Sequence, residues 1–145
     1  MTSALSYVVL VGLVGGVAVA VQASMAGIIT EKLGVLENAL IVFGGGFLVA
    51  LVLLLINQGG KIRDWNTLPW YVFLAGPLGI VIITSIGYAI PRIGLASTLT
   101  LIVVSQLIIG VVFDHFGWLA VMRPMDWPRF VGIFLLFLGT WIVLR

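Results

Sequence analysis

The sequence predicts an all-α integral membrane protein with five transmembrane helices, and three observations carry that prediction. Hydrophobic residues make up 62% of the 145-residue chain and charged residues only 8%, against roughly a quarter in soluble domains; the mean hydropathy is +1.30. So few charges cannot cover the surface of a water-soluble domain of this size. The charges are also bunched, leaving uncharged stretches at 1–30, 38–60, 65–91, 93–113 and 130–144. Crossing the hydrocarbon core as a helix takes roughly 20 apolar residues, about 17 at the short end. The first four stretches suffice, and Trp127 and Pro128 extend the fifth. Third, the apolar runs are continuous, without the period-two alternation of membrane β-strands. The chain is read as one domain over 1–145, with spans at about 4–29, 36–57, 69–90, 94–114 and 127–144.

Each span has its own justification. The first lacks a Lys or Arg n-region and its apolar run is too long for a signal-peptide core, so it is read as a retained helix, although Ala18-Val19-Ala20 loosely fits a cleavage site. It carries a GxxxG pair, Gly12 and Gly16, and Ala23 and Gly27 continue that small-residue face. The second opens with Glu37 and contains Gly44-Gly45-Gly46. Gly76 and Gly79 lie in the third, entered through Trp65, Trp70 and Tyr71. The fourth places Thr98 and Ser105 seven residues apart on one face, has Gln106 among aliphatic neighbours, and closes with Asp114. The fifth begins at Trp127-Pro128, proline suiting a first helical turn, and sets Gly132 and Gly139 on one face.

Five spans put the termini on opposite sides of the membrane. Lys61, Arg63, Arg123 and Arg129 share the N-terminal side; Lys32, Arg92 and Arg145 share the other. Orientation follows Lys/Arg asymmetry, and 4 against 3 barely chooses. Either the N-terminal side is cytoplasmic, or copies insert both ways and pair antiparallel. Tyr7, Trp65, Trp70, Tyr71, Trp118 and Trp127 near one set of ends, and Tyr88 and Trp141 near the other, suit the two interfaces.

Two segments read alike: GIITEKLG at 27–34 and GVVFDHFG at 110–117, each preceded by a glutamine, Gln22 or Gln106. They end spans of opposite direction, as in an inverted repeat around a midplane site. A glutamine in lipid either bonds a neighbouring helix or lines a cavity. Ser105 and Thr98 extend a polar stripe from Gln106, so Gln22, Gln106, Ser105 and Thr98 are the residues expected to line a substrate path. The alternative is that they bond between helices and line nothing.

Enzyme chemistry has no visible home. His115 is the only histidine, cysteine is absent, and adjacent Asp114 and His115 do not face each other on a helix. No nucleophile elbow, P-loop or zinc-protease motif occurs, so no cofactor or metal is expected. The isoelectric point of 9.4 reflects a small basic excess without a patch to meet phosphates, so no nucleic-acid partner is expected. Glu37 at a helix start suits the helix dipole; Glu37 and Asp114 are otherwise the acids available to couple a proton or cation. Asn38, beside Glu37, offers another polar contact.

The order of motifs resembles the YdcZ-type bacterial inner-membrane proteins of the drug/metabolite transporter superfamily. The resemblance rests on Gln22-Ala23, Ala39-x-x-x-Phe43-x-x-Gly46, Gly76-x-x-Gly79, Pro91-Arg92-x-Gly94, Gln106, Asp114-x-Phe116-Gly117, Arg129 and Gly132…Gly139, nearly the whole chain. It departs at Ala26, where the family often has Asn, at Ser105, where it often has Gly, and at Val35-Leu36, where it often has Ser-Pro. The resemblance implies five-helix subunits occurring as dual-topology homodimers, paired genes or ten-helix fusions. The last span is similar to the dimerising helix of small multidrug resistance proteins, through Gly132, Leu135 and Gly139. The expected protein is then a multi-pass transporter or exporter of an unidentified small molecule, working by alternating access as an antiparallel homodimer in the lipid bilayer of the bacterial inner membrane. The lack of buried charge favours a neutral, zwitterionic or amphiphilic substrate over a bare ion. The competing expectation is a non-transporting scaffold or lipid-interacting subunit.

Overall fold

A computed structural model describes residues 2–117 and 126–145. Five α-helices appear in it: α1 (Thr2–Lys32), α2 (Val35–Ile56), α3 (Ala75–Ile93), α4 (Leu95–Phe116) and α5 (Trp127–Val143). Two short 3-10 turns, Ile62–Thr67 and Trp70–Leu74, lie between α2 and α3. Four spans are long and apolar enough to cross a membrane, the third running Trp70–Ile93 with its 3-10 turn included. The fifth is shorter: α5 has 17 residues, roughly 26 Å at 1.5 Å per residue against a hydrocarbon core of about 30 Å. Trp118, expected at an interface, and Arg123, one of the charges in the tally, lie outside the described residues.

The helix boundaries differ most from the sequence expectation at the third span, and α1 also runs past 29 to Lys32. The third span's α-helix starts at Ala75 rather than near 69. Pro77 has no N–H for the Phe73 carbonyl, and its ring crowds that turn, so the chain from Trp70 to Leu74 winds as a 3-10 helix instead. That span also runs past 90 to Ile93 and carries Pro91 in its last turn.

Most of the large apolar side chains are uncovered. Leu10 is 58% exposed, Phe47 65% and Phe134 62%. Helices apolar all round with almost nothing buried against protein suit a hydrocarbon solvent, where exposed leucine carries no penalty.

The chain forms two packing units, Met1–Arg92 and Ile93–Arg145. In the first, α1 packs on α2 and α3 meets both through small residues. Ile90 lies over Gly27, the Phe43 ring over Gly79, and Thr30 and Asn38 over Gly87. Its buried residues are Ala23, Ala26, Gly27, Asn38, Ala39, Ile83, Ile86 and Gly87. The reversal between α1 and α2 is made by Gly34 at φ 121° and ψ 170°, a conformation open essentially to glycine alone. In the second unit α4 packs on α5, burying Thr98, Val104 and Thr140. Gly117 closes α4 in the left-handed conformation, its N–H donating to the Phe113 carbonyl. Asp126 caps α5, its carboxylate accepting from the Arg129 N–H at 3.1 Å, with Pro128 in the first turn.

Candidate functional site

A groove on the second unit is built entirely from α4. Ser105, Gln106, Ile109, Gly110 and Phe113 line about 430 Å³ of open space. The helical repeat puts these residues on adjoining turns, and Gly110 keeps its wall low, nothing lying within 4 Å of where a Cβ would stand. Ser105 Oγ donates to the Leu101 carbonyl at 2.8 Å, which spends its proton inside the helix and leaves its lone pairs outward. The Gln106 amide is exposed, with no hydrogen-bond partner among the described residues. It therefore presents two donors and an acceptor to an otherwise apolar groove.

The other two residues of the expected path sit differently. Thr98 is only 2% exposed, and its Oγ1 donates to the Gly94 carbonyl at 2.8 Å. Its hydroxyl stabilises the first turn of α4, and it is not among the residues lining the Gln106 groove. Gln22 is exposed on α1, at the edge of the face that carries buried Ala23, Ala26 and Gly27 in its own unit. The structure thus brings Ser105 and Gln106 together.

Among the acids, Glu37 stands in the first turn of α2 and is exposed. Its Oε2 folds back over Gly34, 2.5 Å from where a Cβ would be, an arrangement that suits the positive end of the helix dipole. Asp114 is half-buried in the last turn of α4, beside His115, whose ring stands edge-on to Phe116 at 5.2 Å. No group of three metal-ligating side chains occurs among the described residues. On α5, Gly132 and Gly139 have nothing within 4 Å of where a Cβ would stand, and Leu135 is exposed. That face is left open by the other described residues of its unit.

A family model described as "Putative inner membrane exporter, YdcZ" matches residues 7–142. The chain belongs to the YdcZ family. Neither the curated proteins nor the solved structures yield a match. With its apolar helices, this YdcZ-family chain is a multi-pass inner-membrane protein. The family is one of exporters by description and not an enzyme class.

Sequence reasoning missed a second polar cluster in this YdcZ protein. Asn38 is wholly buried, more so than either glutamine. Its Nδ2 donates to the Ile83 carbonyl at 3.4 Å, while its Oδ1 and the Thr30 Oγ1 are buried without partners. Next to them, Thr30, Glu31, Val35, Tyr88, Pro91 and Arg92 line a cleft of about 540 Å³. A signal was available. Gly27, Gly34 and Asn38 recur 60 residues later as Gly87, Gly94 and Thr98. Gly34 and Gly94 both have positive φ, and their carbonyls accept the N–H of Asn38 and Thr98 at 3.2 and 3.1 Å. The segments 27–34 and 110–117 share helix-ending glycines at Gly34 and Gly117 but not packing. Gly27 lies against Ile90, whereas nothing approaches Gly110.

Proposed function

We propose that this YdcZ-family protein is a secondary transporter that exports a small molecule by alternating access, working as an antiparallel homodimer of ten helices. The observation that carries the reading is the α4 groove, where Gln106 holds an unpartnered amide among apolar walls. An unpaired amide facing hydrocarbon is costly, so its retention is explained if a solute or water meets it. The description of the family as exporters supports the same reading. Gln106 and Ser105 would contact the solute, Thr98 would hold the start of α4, and Gln22 on α1 is a further candidate contact. Glu37 and Asp114 are the acids available for coupling. The near-even Lys/Arg tally supports insertion in both orientations, and the open Gly132, Leu135 and Gly139 face of α5 supports helix pairing between copies.

The test is reconstitution of purified protein on a supported membrane, with currents and tracer fluxes recorded against a panel of neutral, zwitterionic and amphiphilic solutes. Gln106→Leu is expected to reduce solute-dependent flux on the order of tenfold or more, each tenfold corresponding to about 1.4 kcal/mol of lost contact. Full flux in Gln106→Leu removes the groove from the mechanism. Absence of any flux across the panel favours the competing reading of a non-transporting scaffold, in which Gln106 bonds a partner helix.

A further inference from the structure

The second cleft belongs to different residues in a different unit, and its chemistry is specific. Its volume, about 540 Å³, falls in the range of small-molecule pockets, roughly 300–1,000 Å³. Glu31 comes from the last turn of α1 and Arg92 from the last turn of α3, so the wall carries both signs of charge. The two do not pair with each other, and Glu31 has no ion-pair partner among the described residues. Arg92 is held in place by its own helix: Nη1 donates to the Tyr88 carbonyl at 2.6 Å, and the guanidinium carbon stands 3.5 Å above the Tyr88 ring centroid. One of its five N–H donors is used in this way, and the rest of the fork remains for a carboxylate or phosphate.

The floor beside Glu31 is rich in acceptors. Thr30 lines the cleft, and its Oγ1 is buried without a partner. Around Gly87 it approaches Asn38, whose Oδ1 is also buried and unpartnered. Pro91, a further lining residue, has no N–H to offer the Gly87 carbonyl. Both oxygens are closed to solvent, so the acceptor that the cleft opens to a ligand is the exposed Glu31 carboxylate. An ammonium group supplies only donors.

We propose that this cleft binds a zwitterion, its ammonium against Glu31 and the Thr30 side and its acidic group on the Arg92 guanidinium. The ligand is a free small zwitterion or the headgroup of a zwitterionic lipid, because the cleft lies at helix ends, where the chain leaves the hydrocarbon. The inference does not depend on transport. Gln106→Leu is expected to reduce flux and leave the cleft's binding intact, so the two readings fail separately.

The experiment uses the full chain purified in detergent. Phosphoethanolamine is titrated by calorimetry, with ethanolamine and inorganic phosphate as single-charge controls. In parallel, native mass spectrometry measures retention of phosphatidylethanolamine over phosphatidylglycerol. Both are repeated in Glu31→Gln and Arg92→Gln, at exposed positions where the fold tolerates the change, with helix content checked by circular dichroism. A soluble site appears as saturable phosphoethanolamine binding, tighter than either control and weakened on the order of tenfold in each variant. A headgroup site appears as phosphatidylethanolamine retention lost in both variants, without soluble binding. The proposal is overturned if neither probe binds, if the single-charge controls bind as well as the zwitterion, or if binding persists unchanged in both variants.

Discussion

At Gly87 a single hydrogen decides whether three helices can meet. A methyl group there would overlap the Thr30 hydroxyl and stand 2.8 Å from Asn38 Nδ2. Asn38 is wholly buried and the Thr30 hydroxyl is closed to solvent, so relieving the overlap means moving packed atoms. Gly110 is the opposite case, a mid-helix glycine with nothing within 4 Å. Gly87→Ala is therefore expected to destabilise the protein by about 1–3 kcal/mol through overpacking. Gly110→Ala should be neutral or stabilising by up to about 1 kcal/mol through helix propensity. Unfolding in mixed micelles, followed by tryptophan fluorescence, measures both. Pairing Gly87→Ala with Thr30→Ala should recover part of the loss, since the second change removes the colliding hydroxyl. Equal effects of the two glycine substitutions would mean that α3 does not approach α1 and α2 as described. The contrast also shows what the sequence could not convey. Gly12 and Gly16 form the more conspicuous small-residue pair, yet nothing lies within 4 Å of either, while Gly27 and Gly87 carry the packing.

Among the elements, the turn between α1 and α2 is the most constrained by backbone geometry. Leu33 and Gly34 continue the α1 bonding pattern, donating to the Ile29 and Thr30 carbonyls at 2.8 and 3.0 Å. Gly34 then swings to φ 121° and its own carbonyl accepts the Asn38 N–H at 3.2 Å. This one residue closes α1, opens α2 and sets Asn38 into the interior. Gly34→Ala would incur strain of about 1–3 kcal/mol, and its methyl would collide with the Glu37 carboxylate. The same micelle unfolding should show that loss, and a spin-label distance between cysteines placed at Ile29 and Leu40 should lengthen or broaden. An unchanged midpoint would mean that another residue makes the reversal. The spans themselves were legible because runs without charge are a composition signal that needs no partner. Their facing sides were not. Where a helix is apolar all round, as in α1 and α2, no periodicity marks the side that packs. Gln22 and Gln106 stand out as polar residues in lipid, yet the most deeply buried polar side chain among the described residues is Asn38, whose place beside charged Glu37 resembles an ordinary helix start. The late start of α3 was legible in principle from Pro77, whose missing N–H is a local effect.

For the whole molecule, the question is which way each copy lies in the membrane, and the charge tally makes it testable. Lys61, Arg63, Arg123 and Arg129 stand against Lys32, Arg92 and Arg145. Positive residues near span ends retain their side in the cytoplasm, so a difference of one leaves both orientations within reach. Removing Lys32 and Arg145 as alanines leaves 4 against 1 and should fix one orientation; removing Lys61, Arg63 and Arg123 leaves 1 against 3 and should fix the other. C-terminal reporters active on only one side of the membrane read the outcome. The unaltered chain is expected to activate both reporters, and each variant only one. An antiparallel pair needs both orientations, so each variant alone should lose flux and co-expression of the two should restore it. Arg92 and Arg129 are left in place because one lines the zwitterion cleft and the other meets the α5 cap, which keeps a loss of flux attributable to orientation. Full flux from a chain locked in one orientation would show that the working unit is a parallel assembly or a single copy, and would detach the Gly132, Leu135 and Gly139 face from antiparallel pairing.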